Sequence, residues 1–344
     1  MNFDFTDDQH SIKRTASELL ASRSTFARVR EHAEAGTYDQ DLWKELAGLG
    51  WAGIFIDEAY GGQDLGTVEL VILMEELGFA ATPSPFLSNA AAGLILTHAG
   101  SDEQRERWLP GIASGEALGT VGVRSNGSAP VVPDAAAADV IVLLDGDGEG
   151  AGASVVEASA ATIEPREALD PTRRFASVEA DGGEALEGDV GAGLDRIETA
   201  LAAELTGVAQ RALDMAVEYA RERTQFGRPI GAYQAVSHAC AQMLLEVEGA
   251  RAATYYAAWT AEAEPETLSL AASMAKAYAA DAGWRVTASS LQVHGGIGFT
   301  WEHDLQFLLK RAKSDGHLFG DARFHRDRVA DLAGLGREPA PAPA

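Results

Sequence analysis

A single cysteine, Cys240, stands among 344 residues. No intrachain disulfide framework and no cluster of thiolate metal ligands can therefore be built. Basic residues are scarce too: 27 Lys and Arg face 52 Asp and Glu, a formal net charge of −25. That deficit excludes the basic face with which a nucleic-acid binder neutralises phosphates. It argues equally against docking on an anionic membrane surface. No apolar run reaches the length of a membrane span. The start, Met1 to Phe5 followed by Thr6-Asp7-Asp8, lacks the basic and apolar regions of a signal peptide. What is left is ordinary for a globular chain, 46% hydrophobic and 23% charged. These values point to a soluble, cytoplasmic protein of two or three structural units.

Residues 1–115 read as helical. Thr6-Asp7-Asp8-Gln9 and Ser101-Asp102-Glu103-Gln104 have the form of capping boxes. Thr67 to Leu77 carries helical apolar spacing, and Trp43, Trp51, Phe55 and Trp108 are core candidates. Over 116–193 the composition changes, and Phe175 is the only aromatic residue between Leu118 and Gly193. Val121, Val123, Val131, Val132 and Val140 to Leu143 read as short strands of a small β unit with a modest core. Asp145 to Gly150 is a turn that lacks the ligand spacing of a calcium loop. Over 194–335 helices return. Ile197, Leu201, Leu205, Val208, Ala212, Met215 and Tyr219 form one stripe, and Val236, Cys240, Met243, Val247 and Ala250 another. A third helix starts near Pro265 and a fourth spans Leu305 to Ala312, which makes a four-helix bundle. The tail 336–344, with three prolines, reads as disordered. The fold class is α+β, mainly α.

Two segments stand out from this scaffold. In Arg221-Glu222-Arg223-Thr224-Gln225-Phe226-Gly227-Arg228-Pro229-Ile230, Arg223 can make bidentate bonds to a pyrophosphate, and the glycine lets backbone approach closely. The same residues also suit a charged helix end with Gly227 as its cap. The second segment is Gln292-Val293-His294-Gly295-Gly296-Ile297-Gly298-Phe299-Thr300. As a glycine-rich loop it is neither a dinucleotide fingerprint nor a phosphate-binding Walker loop. His294 by itself is more simply a satisfied loop histidine than a base.

In this order and on this architecture, the segments make the chain resemble the acyl-CoA dehydrogenase family along nearly its whole length. The resemblance includes Glu58-Ala59-Tyr60-Gly61-Gly62, Met74-Glu75-Glu76-Leu77-Gly78 and Gly207-Val208-Ala209-Gln210-Arg211-Ala212. It implies an N-terminal helical domain, a small β domain and a C-terminal four-helix bundle. It also implies FAD bound at a subunit interface and α,β-dehydrogenation of an acyl-CoA thioester, with a carboxylate removing the α-proton as hydride passes to the flavin. By the same resemblance Arg223, Gln225 and Phe226 contact the pyrophosphate and adjoining part of a neighbouring subunit's FAD. Gln292, Gly295 and Gly296 then contact its adenosine end.

The departures from the family are selective. A Thr-Glu-Pro run expected at Leu118 to Gly127 is missing, and no tryptophan lies between Trp108 and Trp259. Aligning from Arg311-Ala312-Lys313 places Gly320 where the family's usual base, a glutamate, belongs. The other base position used in the family falls on Ile197, with Glu198 at the arginine that follows it. Glu198 and Asp321 are each one residue from a base position. On a helix, one step turns a side chain by ~100°. The half-site for a neighbour's FAD is thus kept while the chain's own looks lost. This is the pattern of the non-catalytic subunit of an α2β2 acyl-CoA dehydrogenase, a type found in actinobacterial degradation of steroid side chains. The implied partners are a catalytic subunit, an acyl-CoA and an electron-transfer flavoprotein. A homo-oligomeric dehydrogenase with a displaced carboxylate, and a flavin-free scaffold or acyl-CoA-binding protein of the same fold, stay open as alternatives.

Overall fold

The computed structural model describes residues 4–125, 127–146 and 152–335. The proline-rich tail and residues 147–150 of the Asp145–Gly150 turn lie outside them. Six helices come first: α1 (Asp7–Arg23), α2 (Phe26–Ala35), α3 (Gln40–Gly48), α4 (Thr67–Phe79), α5 (Phe86–Ala99) and α6 (Asp102–Ser114). Both capping boxes form. Thr6 and Ser101 accept from the N–H of Gln9 and Gln104, whose side chains accept in turn from the Thr6 and Ser101 N–H. Trp43 and Trp51 are buried, and Phe55 and Trp108 pack half-buried against the same core.

Seven strands follow: β1 (Gly119–Val123), β2 (Ser128–Pro133), β3 (Val140–Asp145), β4 (Gly152–Glu157), β5 (Thr162–Arg166), β6 (Phe175–Glu179) and β7 (Glu184–Leu186). They form two sheets, β1-β3-β4-β7 and β2-β6-β5, with β1 parallel to β3 from the Gly119–Val140 pair onward. The run Val140 to Leu144 is apolar throughout because β3 is covered on both faces. Ile141 and Leu143 point into the core between the sheets, while Val140, Val142 and Leu144 join the core of the N-terminal helices.

The remainder is α7 (Val190–Glu222), a hairpin of β8 (Thr224–Gln225) and β9 (Arg228–Pro229), then α8 (Gln234–Ala263), α9 (Leu268–His294), α10 (Leu305–Asp315) and α11 (Ala322–Leu332). α7 starts four residues before the boundary expected at 194, because Asp189 caps the Ala192 N–H. α11 is a fifth helix that the sequence pattern did not announce. Only Ala322 and His325 are buried on it, too few to give a period.

Glycine sets the spacing at the α4–α7 crossing. A Cβ at Gly207 would lie 1.9 Å from the Glu75 carbonyl oxygen, and one at Gly78 would lie 2.2 Å from that of Glu204. The β unit is tied to the helices by a buried polar network between β5 and β6. Arg311 Nε bonds Asp170 Oδ2 at 2.9 Å, Arg173 Nε bonds Asp315 Oδ1 at 2.8 Å, and both arginines bond Glu204. Such a network fixes register more than it adds stability, because taking each charge out of water costs several kcal/mol. Among the described residues no helix is long and apolar enough to cross a membrane.

Candidate functional site

α7 ends at Glu222, and Gly227 is not its cap. The Arg223 N–H closes the last helical turn on the Tyr219 carbonyl. The chain then turns back through the pairs Thr224–Pro229 and Gln225–Arg228. The turn is made by Phe226 and Gly227, both in the left-handed region at φ 51° and 79°, as a two-residue hairpin of this hand requires. For phenylalanine that conformation costs of order 1 kcal/mol. Its ring, 94% exposed, makes no packing that offsets this cost. Tyr233 braces the hairpin, donating its hydroxyl to the Gln225 carbonyl at 3.2 Å while Arg228 stacks 4.0 Å from its ring centre.

The second motif comes back to the same place. α9 ends at His294, and Gly295, at φ 63°, breaks it. Arg223, Gln225, Tyr219 and Ile230 face Val293, His294, Gly296 and Ile297 across an open concavity of about 630 Å³. The fold thus brings together two motifs some seventy positions apart in the chain. Three of the six residues expected at a cofactor, Arg223, Gln225 and Gly296, line this concavity. Gln292 lies exposed on the last turn of α9, Gly295 is at its break, and Phe226 is at the hairpin tip.

Among the described residues Arg223 has no carboxylate partner. A Cβ on Gly296 would meet nothing within 4 Å, and its φ is ordinary. Nothing inside the chain therefore demands glycine at position 296. His294 is buried, with Nδ1 2.7 Å from the Ser290 carbonyl and its ring stacked on Tyr219 at 4.7 Å. Burial holds its pKa below the usual value, so it serves as a neutral wall of the site.

The base positions look different. At Gly320 φ is 96°, and a Cβ would lie 2.4 Å from the Phe324 ring and 2.9 Å from His325 Nε2. The local fold requires this glycine, and a glutamate there would clash. Ile197 is fully buried in the core. Glu198 is buried as well, with Oε2 3.0 Å from Arg328, which also bonds Asp195 at 2.8 Å. Burial pushes the Glu198 carboxyl up to about 8, against the pull of Arg328. Asp321 caps α11, accepting from the Arg323 and Phe324 N–H, and these bonds hold its carboxyl below the ordinary range. Beneath the same turn Lys276 is fully buried and donates to the Gly320 and Gly316 carbonyls at 3.0 and 3.3 Å. Burial lowers its pKa to about 8.

Comparison with known proteins identifies the family. Residues 6–116 match the acyl-CoA dehydrogenase N-terminal domain and residues 191–333 the acyl-CoA dehydrogenase C-terminal domain. The chain belongs to the acyl-CoA dehydrogenase family. Acyl-CoA dehydrogenase IpdE2 of Mycolicibacterium smegmatis is 32% identical over 320 residues, covering 92% of this chain and 96% of that one. Acyl-CoA dehydrogenase FadE34 of Mycobacterium tuberculosis is 33% identical over 362 residues, which cover 96% of this chain but 48% of FadE34. The solved Tcur3481-Tcur3483 steroid ACAD superposes with a TM-score of 0.87 at 29% identity, over 96% of this chain and 98% of that one.

This is a family of oxidoreductases that act on acyl-CoA and bind FAD. Among the described residues the Arg223 guanidinium has no carboxylate partner. With the Gln225 amide it makes a donor set that would fit the pyrophosphate region of such a dinucleotide, while the unobstructed Gly296 leaves room for its adenosine end. Sequence reasoning missed the walls Tyr219, Ile230, Val293 and Ile297. Tyr219 closes the α7 stripe and reads as core, and the other three are apolar neighbours of the motif residues.

Proposed function

We propose that this chain is the non-catalytic subunit of a heteromeric, FAD-dependent acyl-CoA dehydrogenase and completes the FAD site of a catalytic partner subunit. Arg223, Gln225 and Phe226 hold the pyrophosphate and adjoining region, and Gln292, Gly295 and Gly296 the adenosine end. FAD held there would supply a hydride acceptor for the β-hydrogen of the acyl chain. The partner supplies the carboxylate that removes the α-proton, and an electron-transfer flavoprotein reoxidises the flavin.

The observation that carries this reading is Gly320. The chain's own base position is closed by a glycine its fold requires, while its cofactor half-site opens outward with Phe226 almost fully exposed. Leu244 and Leu245 on α8, and Met274, Tyr278 and Trp284 on α9, are exposed large apolar side chains. A bundle that works against another subunit buries such residues. The share of FadE34 that this chain matches, 48%, is also what two such chains side by side would give. A displaced base finds no support, because Glu198 is held by Arg328 and Asp321 by the α11 N-terminus. The name of the steroid ACAD relative supports a steroid side-chain CoA as substrate class.

The test is the flavin content of the mixed complex, formed with a catalytic subunit screened among the acyl-CoA dehydrogenases of the same organism. Arg223→Ala removes charge-assisted bonds worth roughly 1.5–3 kcal/mol and is expected to weaken FAD retention about tenfold or more while leaving the thermal midpoint of this chain unchanged. Full flavin occupancy in the Arg223→Ala complex would contradict the proposal.

A further inference from the structure

The segment that follows the glycine loop is held by the N-terminal helical region. Arg30, on α2 in the N-terminal helical region, donates Nη1 to the Trp301 carbonyl at 3.0 Å and Nη2 to the Glu302 carbonyl at 3.2 Å. Nη2 also bonds Asp304 Oδ1 at 2.6 Å, and the guanidinium lies 5.1 Å from the Phe307 ring centre. One side chain therefore grips three successive features of the segment that leads from the glycine loop into α10. Gln306 reinforces the grip, donating to the Trp301 carbonyl at 2.7 Å.

The grip reaches the concavity through packed rings. His303 lies between two residues that Arg30 holds, and its ring meets His294 edge-on at 4.5 Å. His294 stacks on Tyr219, and both line the concavity with Arg223 and Gly296. A Cβ on Gly295 or Gly296 would meet nothing within 4 Å, so their placement comes from the backbone of the turn Gly295–Phe299 and from its two ends. One end is the α9 helix. The other is the segment that Arg30 holds.

We propose that Arg30 is a positioning residue for the cofactor half-site, through which the N-terminal helical region sets the geometry of the glycine loop on the C-terminal bundle. The inference rests on the reading of that loop as an FAD contact. A planar, pre-organised fork suits the role because it meets two carbonyls and a carboxylate at once, which a lysine cannot do. A loop that must be ordered on binding costs affinity, and pre-ordering it removes that cost.

The experiment uses the mixed complex and the full chain, with Arg30→Ala, Arg30→Lys and Asp304→Asn as variants. Arg28→Ala is the matched control on the same helix, since among the described residues Arg28 pairs with Glu31 and Asp39 and not with the loop segment. Two readouts are taken: the FAD dissociation constant of the complex, and hydrogen–deuterium exchange of the full chain over residues 300–307. Arg30→Ala is expected to raise the dissociation constant about tenfold and to accelerate exchange within 300–307. Arg30→Lys and Asp304→Asn should give smaller shifts in the same sense, and Arg28→Ala none. A lowered thermal midpoint with unchanged FAD affinity would make Arg30 a merely structural residue and overturn the inference. If Arg30→Ala does not assemble, the exchange pattern and the Lys and Asn variants decide in the same way. Arg223→Ala separates the two proposals. Should it leave flavin bound, the reading of the site fails; should it release flavin while the Arg30 variants do not, only the positioning role fails.

Discussion

Glu198 is a carboxyl kept from water beside one guanidinium that it shares with Asp195. Burial is the largest influence on it, and its pKa lies near 8 in the folded chain, against about 4.3 when unfolded. Between those values the folded state keeps a proton that the unfolded state gives up, so rising pH favours unfolding. His98 and His325, both depressed to about 4 by burial, act below about pH 6.5. Lys276 acts above about 8. Asp315, pushed up to about 7 by burial, adds to the same trend below about 7, which leaves the interval from pH 7 to 8 chiefly to Glu198. The native chain should lose thermal stability across it, and Glu198→Gln should flatten that slope; equal slopes by calorimetry would show the carboxyl to be ionised throughout. None of this is legible locally, since Arg328 stands 130 positions from Glu198. Arg223, Gln225 and Gly296 were legible because each sits inside a contiguous motif. Arg30, whose partners in the loop segment lie 271 positions and more away, left no signal in the sequence.

At the scale of elements, glycines with similar standing in the sequence do opposite work. Gly207 lets α4 and α7 touch, and a methyl there would run into backbone that cannot move aside. Gly207→Ala should cost about 2 kcal/mol or more by overpacking, readable as a lower denaturation midpoint. Gly296 faces open space, so Gly296→Val should leave that midpoint unchanged and yet lower flavin binding in the mixed complex. A loss of stability at Gly296 would mean that the loop is part of the fold rather than of a ligand site. The capping boxes, the stripes on α7 and α8 and the doubly covered β3 could all be read from period and cap chemistry. α11 and the Asp170-Pro171-Thr172-Arg173 segment could not, because long-range ion pairs and a helix N-cap hold them in place rather than an apolar pattern.

Over the whole molecule, the chain carries the acyl-CoA dehydrogenase N- and C-terminal domains with an uneven distribution of chemistry. On the proposed function its cofactor half-site opens outward, large apolar side chains stand exposed on α8 and α9, and Phe324 and His325 pack against Gly320 at the position expected for a base. A net charge of −25 favours solubility, and on the proposed function it leaves an anionic cofactor to local arginines such as Arg223. A scaffold that had lost its ligand would have no use for an unpaired arginine beside an unobstructed glycine. The most direct test is the visible absorbance of the protein purified alone and then with its catalytic subunit. A colourless chain that becomes part of a yellow mixed oligomer, with flavin bound only there, is the predicted result. A chain that is yellow alone and dehydrogenates acyl-CoA without a partner would contradict the account.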